Sequence, residues 1–234
     1  MRIEGVNSSL ITAAHELKTP LVLLRQLTLE LENTTDETRR LEITKRIKLT
    51  AERSLRLTDN LTKMARLDDA LFEMEPIQLP NLCYEVIEEL IPLSDCLNQK
   101  IKLKHSGKAT VVVGHRELTR SLLMGLIDNA LQYNPGGKSI SIFTQLCGHE
   151  AVIAVRDFGP TVSLDQYRKL AESLGDQAMP ISARPLSSGL GLMIAGKFAG
   201  AMNGRLSVNR HHSGGMTFKV HLPISRQLNL LEPA

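Results

Sequence analysis

The sequence predicts two structural units: an all-α helical hairpin that pairs with a second copy into a dimeric four-helix bundle, then an α/β two-layer sandwich. Three observations carry the prediction. Residues 5–72 hold heptad-spaced apolar positions with almost no strand signal, and Gly5 and Pro20 are the only glycine and proline in that span. "EMEPIQLPN" (73–81) carries two prolines and reads as a linker. Beyond it, short β-rich runs and helical stretches follow one another with hairpins rather than strict βαβ alternation. The expected boundaries are a hairpin at 1–73, a linker at 74–81, an α/β domain at 82–226 and a tail at 227–234.

In the first helix Leu10, Ala14, Leu17, Leu21, Leu24, Thr28 and Leu31 step alternately by four and three, a heptad seam. "ENTTDE" (32–37) supplies a helix stop and then an N-cap. A second seam follows in Ile43, Ile47, Thr50, Ser54, Leu57, Leu61 and Met64. One hairpin cannot bury its seam and also Leu41, Leu49 and Leu55 beside it, whereas two hairpins in a four-helix bundle can, so a homodimer is expected. After the linker, 82–97 reads as a helix, "KIKLKHS" and "ATVVVG" as strands, and 116–133 as a helix. "SISIFTQL" and "EAVIAVRD" form a strand pair around Gly148, and "GRLSVNR" and "MTFKVHLP" close the chain as strands.

Of the 234 residues, 42% are hydrophobic and 23% charged, ordinary values for a packed globular protein. Aromatics are 3% with no Trp, so the core is built from Leu, Ile, Val, Met and Ala. The net charge is only +3 and basic residues are spread along the chain with few aromatics among them, which leaves a nucleic-acid-binding reading little support. No stretch reaches the roughly 18 apolar residues of a membrane span, and no secretory signal opens the chain. Cys83, Cys96 and Cys147 are widely spaced without a C-x-x-C pair, which fits a reducing compartment and argues against a disulfide framework or a zinc site.

Four segments carry chemistry. In "ITAAHELKTPL" (11–21) His15 lies one step off the seam, on the bundle flank, with Glu16 beside it to take or orient a ring proton. Thr19 is one turn on, and Pro20 bends the helix there by removing a backbone bond and crowding the Glu16 carbonyl. A surface histidine next to an accidental proline is the competing reading. In "LLMGLIDNALQYNP" (122–135) Asn129 can offer an oxygen to a divalent cation that also holds phosphates, or the helix simply ends at "NPGG". In "VRDFGP" (155–160) Asp157 at a strand mouth can accept from an adenine amino group, with Gly159 letting backbone approach the ring; the alternative is a plain turn. In "SSGLGLMIAGKFAG" (187–200) Gly189 and Gly191 precede a helix whose free N–H groups form a phosphate cradle. Gly-x-Gly alone is weak, and it matches neither a Walker loop nor a dinucleotide fingerprint.

Taken in order, these segments resemble the catalytic core of a two-component sensor histidine kinase. "HELKTPL" resembles that family's H box, "DNALQY" its N box, "DFGP" and "GLGL" its two glycine boxes, and "GGMTFKVHLP" its closing strand. The resemblance covers nearly the whole chain. It implies a dimerisation and phosphotransfer hairpin followed by an ATP-binding domain of the Bergerat type, shared with gyrases and heat-shock chaperones. It implies that His15 takes the γ-phosphoryl group of ATP, that Glu16 is base or orienter, and that Thr19 positions water for dephosphorylation of the partner. Asn129 is implied as the Mg²⁺ ligand, Tyr133 as a neighbour of the adenine, and Asp157 as the acceptor for its amino group. Gly159, Gly189, Leu190, Gly191, Leu192 and Thr217 are implied to line the nucleotide, under a mobile lid from about 160 to 188. ATP and Mg²⁺ are the implied cofactors, and the receiver domain of a response regulator is the implied partner. The implied location is the cytoplasmic portion of a membrane-anchored sensor, with membrane contact only through segments outside this chain.

The sequence also departs from the family pattern. Four positions before Asn129, where a polar side chain is usual, stands Gly125; the lysine often found before the aromatic is Gln132; Thr161 and Ser187 stand where glycines are common. "DQYRKLAESL" only faintly suggests a lid box. Arg116 or Asp128 is a candidate to compensate for Gly125. Two functional readings therefore stay open: a working autokinase, and a degenerate core that binds its regulator with little use of ATP. A general ATPase of the same superfamily is a third, opposed by the H box and the hairpin.

Overall fold

A computed structural model describes residues 2–67, 72–105, 110–135, 138–176 and 189–224, with the first helix's side chains described from Thr12 onward. The chain forms two compact units, residues 1–66 and 67–234.

The first unit is the expected hairpin. Helix α1 spans Arg2–Asn33 and α2 spans Glu37–Ala65. Asp36 caps α2 by accepting from the N–H groups of Thr38 (2.9 Å) and Arg39 (3.4 Å). Arg40 reaches back to the carbonyls of Leu31 (3.1 Å) and Thr34 (2.9 Å), satisfying acceptors that α1 leaves open at its C-terminus. The buried stripe of α1 runs through Leu27 rather than the expected Thr28, and Leu27 and Ile43 are its fully enclosed apolar residues. Thr28 and Leu21, both placed in the seam by sequence, are exposed. The reason is geometric. Two helices alone bury one narrow stripe, so the neighbouring stripe faces outward. Leu21 (60% exposed), Leu41 (57%) and Leu55 (70%) remain bare on the hairpin.

The second unit is a two-layer α/β sandwich. Its strands are β1 (Glu75–Gln78), β2 (Lys100–His105), β3 (Val111–Gly114), β4 (Ser139–Cys147), β5 (Glu150–Arg156), β6 (Arg205–Arg210) and β7 (Met216–Pro223). Its helices are α3 (Leu79–Cys96), α4 (Arg116–Tyr133), α5 (Leu164–Ser173) and α6 (Leu190–Ala201). The main sheet has the order β2-β4-β5-β7-β6, with β2 and β4 parallel and every other pair antiparallel. β1 and β3 form a separate antiparallel pair. Alternation along each strand sends Ile142, Ile153, Phe218 and Val220 to the face covered by α3, α4 and α6. Cys83 lies in this core, where burial pushes its thiol up to about 12.

Two expected features are corrected. The linker at 74–81 is instead strand β1 and the first turn of α3. Pro76 sits in a two-stranded edge pair, and Pro80 in the first helical turn, where no N–H is needed. The lid expected from 160 to 188 is ordered structure in its first half. Val162 and Leu170 are buried, and the Tyr167 hydroxyl donates to Val208 O at 3.2 Å. Gly175 also packs so closely on α6 that a Cβ on Gly196 would stand 2.2 Å from its Cα. Ser163 caps α5. The remaining part of that lid, 177–188, and the tail expected at 227–234 lie outside the described residues.

Candidate active site

On the hairpin, His15 and Thr19 are exposed and Glu16 is half-buried. The Thr19 hydroxyl donates to His15 O at 3.1 Å, the back-bond that hydroxyls make one turn down a helix. Pro20, inside α1, has no N–H for the carbonyl of Glu16. An imidazole, a carboxylate and a hydroxyl thus sit within one turn beside a missing backbone bond. The ring is open to attack an electrophile, and the hydroxyl is held by a bond that one χ1 rotation releases.

In the α/β unit the site is built around Asp157, fully buried at the end of β5. Its Oδ1 accepts from Gly159 N (2.9 Å) and Met216 N (3.3 Å), and its own N–H donates to Met216 O at 3.0 Å. These bonds fix the carboxylate plane at the point where β5 and β7 diverge. The approach needs glycine. A Cβ on Gly159 would stand 2.8 Å from Tyr133 O, and one on Gly215 would stand 2.1 Å from Asp157 O. Gly214 and Gly215 both have positive φ, 90° and 76°.

Tyr133, half-buried, ends α4, and Asn134 caps it. The Asn134 side chain accepts from Phe158 N at 3.0 Å and donates to Lys138 O at 2.6 Å, tying the end of α4 to the strand that carries Asp157. The buried Gln99 amide donates to Leu131 O and Asn134 O, both at 2.9 Å, and so closes the same corner. Asn129 lies one turn before Tyr133, half-buried, on the side of α4 that also carries Gly125 and Asp128.

Gly189 caps α6 with φ 76°, and the bonds of that helix begin with Met193 N–H to Gly189 O at 3.0 Å. The N–H groups of Gly191 and Leu192 precede that bond and point out of the helix start. Leu190 and Leu192 bury their side chains, so only their backbone can serve a ligand. Gly191 is exposed, and a Cβ there would meet nothing within 4 Å. Nothing within the described protein requires glycine at 191, whereas an anion approaching the N–H groups would.

These residues fit a nucleotide: a buried acceptor for an amino group, glycine walls, and an open helix start. Residues 114–226 match the family described as histidine kinase-, DNA gyrase B-, and HSP90-like ATPase. The sensor protein CutS of Streptomyces coelicolor is 28% identical over 214 residues, 91% of this chain and 51% of that protein. The sensor protein kinase PmrB of Pseudomonas aeruginosa is 30% identical over 217 residues, 90% of this chain and 44% of that protein. Over about nine-tenths of its length the chain is similar to two-component sensor histidine kinases. The crystal structure of histidine kinase ThkA in complex with response regulator protein TrrA has the same fold, with TM-score 0.66 at 17% identity over 97% of this chain and 64% of that one. The chain spans about half the length of the curated relatives it matches.

Two residues lie differently from expectation. Thr217 points to the sheet face opposite Phe218, and its hydroxyl meets His211 Nε2 at 2.7 Å. It is Met216, fully buried, whose backbone completes the Asp157 corner. Arg116, a candidate to compensate for Gly125, is bound to Glu85 at 2.6 Å. Nine residues of helix turn it to the opposite side of α4. Asn134 and the Gly214–Gly215 pair escaped the sequence reading; their signals, Asn-Pro after a helix and a double glycine before the last strand, are visible only as turn chemistry until the fold joins them.

Proposed function

We propose that this core autophosphorylates His15 from ATP and passes the phosphoryl group to an aspartate of a response regulator receiver domain. A His15 ring nitrogen attacks the γ-phosphorus, the bond from that phosphorus to the β–γ bridging oxygen breaks, ADP leaves, and Glu16 takes the ring proton. An aspartate oxygen of the receiver then attacks the same phosphorus and frees His15. Thr19, released from His15 O, orients water for the reverse service, hydrolysis of the receiver's phosphoaspartate. Asn129 would hold Mg²⁺, which would supply charge neutralisation for the phosphates; Asp157 selects adenine; Gly189 to Leu192 receive the phosphates through backbone N–H groups. A homodimer through the hairpin covers Leu21, Leu41 and Leu55. Use of ATP puts the reaction on the cytoplasmic side. No helix among the described residues is long and apolar enough to cross a membrane.

The observation that carries this reading is the presence on one chain of an exposed His15 beside Glu16 and Pro20, and of a buried Asp157 held by two backbone donors. The test is incubation with γ-labelled ATP and Mg²⁺ beside a His15→Ala variant. Acid-labile, alkali-stable label on the wild type alone supports the autokinase. A folded dimer that takes no label in either form overturns it.

Gly125 favours a second reading, a regulator-binding and phosphatase module with weak ATP use. A missing preorganised group costs roughly 3–4 kcal/mol, or two to three orders of magnitude in rate. Because a side chain at 125 meets no obstacle within 4 Å, Gly125→Asn discriminates between the readings. If the variant strengthens Mg²⁺-dependent nucleotide binding and labelling by tenfold or more, the wild type is the impaired form. If neither changes, the autokinase works without that side chain.

A further inference from the structure

The main sheet has two faces, and among the described residues helices cover only one of them. Strand register fixes what shares the other. Lys102 stands opposite Ser141, Ser141 opposite Arg156, Arg156 opposite Thr217, and Thr217 opposite Asn209. The next row reads Lys104, Phe143, Ala154, Lys219, Ser207, and the one after it runs from Gln145 through Val152 and His221 to Arg205. Residues in register share a face. Contacts agree: the Lys104 ammonium lies 5.7 Å from the Phe143 ring centre, and Ser207 Oγ meets His221 Nε2 at 2.8 Å.

With Lys100 beside Ser139, the described strand residues give this face six cations and one carboxylate, Glu150. The whole chain has an excess of only three positive charges, so the fold segregates charge that the sequence spreads. Glu150 is committed to Arg205 (2.6 Å) and His221 (3.0 Å). Arg156 Nε is buried with no hydrogen-bond partner among the described residues. Lysines on the edge strand β2 have a structural use, since they block edge-to-edge pairing. That use does not extend to Arg156 and Lys219, which stand on the interior strands β5 and β7.

Between the cations stand neutral side chains such as Ser139, Ser141, Gln145 and Asn209, a donor-rich lattice suited to phosphate oxygens. The face is open rather than grooved; Phe143 lies under Lys104 and the Phe158 ring lies 4.7 Å from the Arg156 guanidinium, so among the described residues no ladder of free rings is offered to stacked bases. We propose that the uncovered face of the sheet docks on an anionic phospholipid surface, its lysines and arginines meeting headgroup phosphates. The dock is independent of the nucleotide site, which lies on the helix-covered side.

The test is co-sedimentation of the full chain with vesicles of phosphatidylcholine alone or mixed with phosphatidylglycerol. Binding is expected only to the mixed vesicles, and it weakens steeply as salt rises. Lys102→Gln with Lys219→Gln should lower partition about 30-fold, from roughly 1 kcal/mol per cation near an anionic bilayer. Lys45→Gln with Lys48→Gln on the hairpin, the same change in charge, should lower it only a few-fold. Melting curves establish that both pairs of variants fold. The proposal is overturned by absence of binding, by equal binding to phosphatidylcholine, or by an equal loss from the hairpin pair. Tighter capture of duplex DNA or poly-glutamate by the same lysines would also overturn it, by naming a different partner.

Discussion

Replacing Asn134 by Ala tests how the Asp157 corner is held. The residue is 5% exposed. Its side chain is the acceptor for Phe158 N (3.0 Å) and a donor to Lys138 O (2.6 Å). Truncation strands one N–H and one carbonyl. A buried group left without its partner costs about 1–3 kcal/mol. Both bonds here are only part-buried, so water recovers some of the loss and the low end of that range applies, about 1–1.5 kcal/mol each, giving roughly 2–3 kcal/mol for the pair. In a unit of this size about 1 kcal/mol moves Tm by 2–4 °C, so a fall of roughly 5–10 °C is expected in the α/β unit's transition. Differential scanning calorimetry reads it, and titration with ATP reads the accompanying loss of affinity as the Phe158–Gly159 backbone loosens. Asn134→Asp keeps the acceptor and sets an anion against Lys138 O, so it should be no more stable than the alanine variant. A fall of less than about 2 °C for Ala, or wild-type stability for Asp, would refute the claim that this amide pins the corner.

Four further outcomes are expected. Gly196→Ala gains about 1 kcal/mol of helix propensity but sets a Cβ 2.2 Å from Gly175 Cα, so the backbone clash wins and thermal scanning should find the variant less stable. Gly125→Ala, in open space, should be stabilising by up to about 1 kcal/mol in the same scan. Asp157→Asn should weaken ATP binding by roughly 10- to 100-fold, the worth of a hydrogen bond to a charged acceptor, with Tm read alongside to separate binding from folding. Burial lowers His221, against the opposing hydrogen bond from Glu150, and burial also lowers His211, helped by Arg156 and Lys219 and opposed by Asp157. Burial wins at both, so in the His221–Glu150 contact a neutral ring donates its Nδ1–H to the carboxylate at pH 7. Each histidine contributes stability above the ordinary value of about 6.5 and loses it as pH falls through its lowered folded value, so urea midpoints should drop from pH 7 toward 5 and drop less in His221→Asn.

Helix α4 was legible to the residue because its apolar spacing, polar start and Asn-Pro end all agree. The hairpin was legible as a hairpin, yet Leu27 rather than Thr28 became its centre, since a heptad pattern records every apolar stripe without saying which neighbour covers which. Pro76 and Pro80 read as a linker because proline marks both breaks and permitted strand or helix starts. Thr217 was misplaced by one step, which on a strand is the difference between two faces. Helix α5 was hidden in a polar, glycine-flanked stretch whose ordering comes from tertiary contacts, Tyr167 on Val208 and Gly175 on Gly196.

A side chain lost from a packed place is hard to regain, because neighbours close over the gap and the old residue no longer fits. Position 125 has kept no such memory. A methyl group added there meets nothing within 4 Å, on a helix whose geometry any residue accepts. Whatever selection led to glycine, the fold has not ratcheted around it. A single substitution that places a polar side chain there meets no structural barrier, so packing does not separate a glycine form of this helix from a polar one.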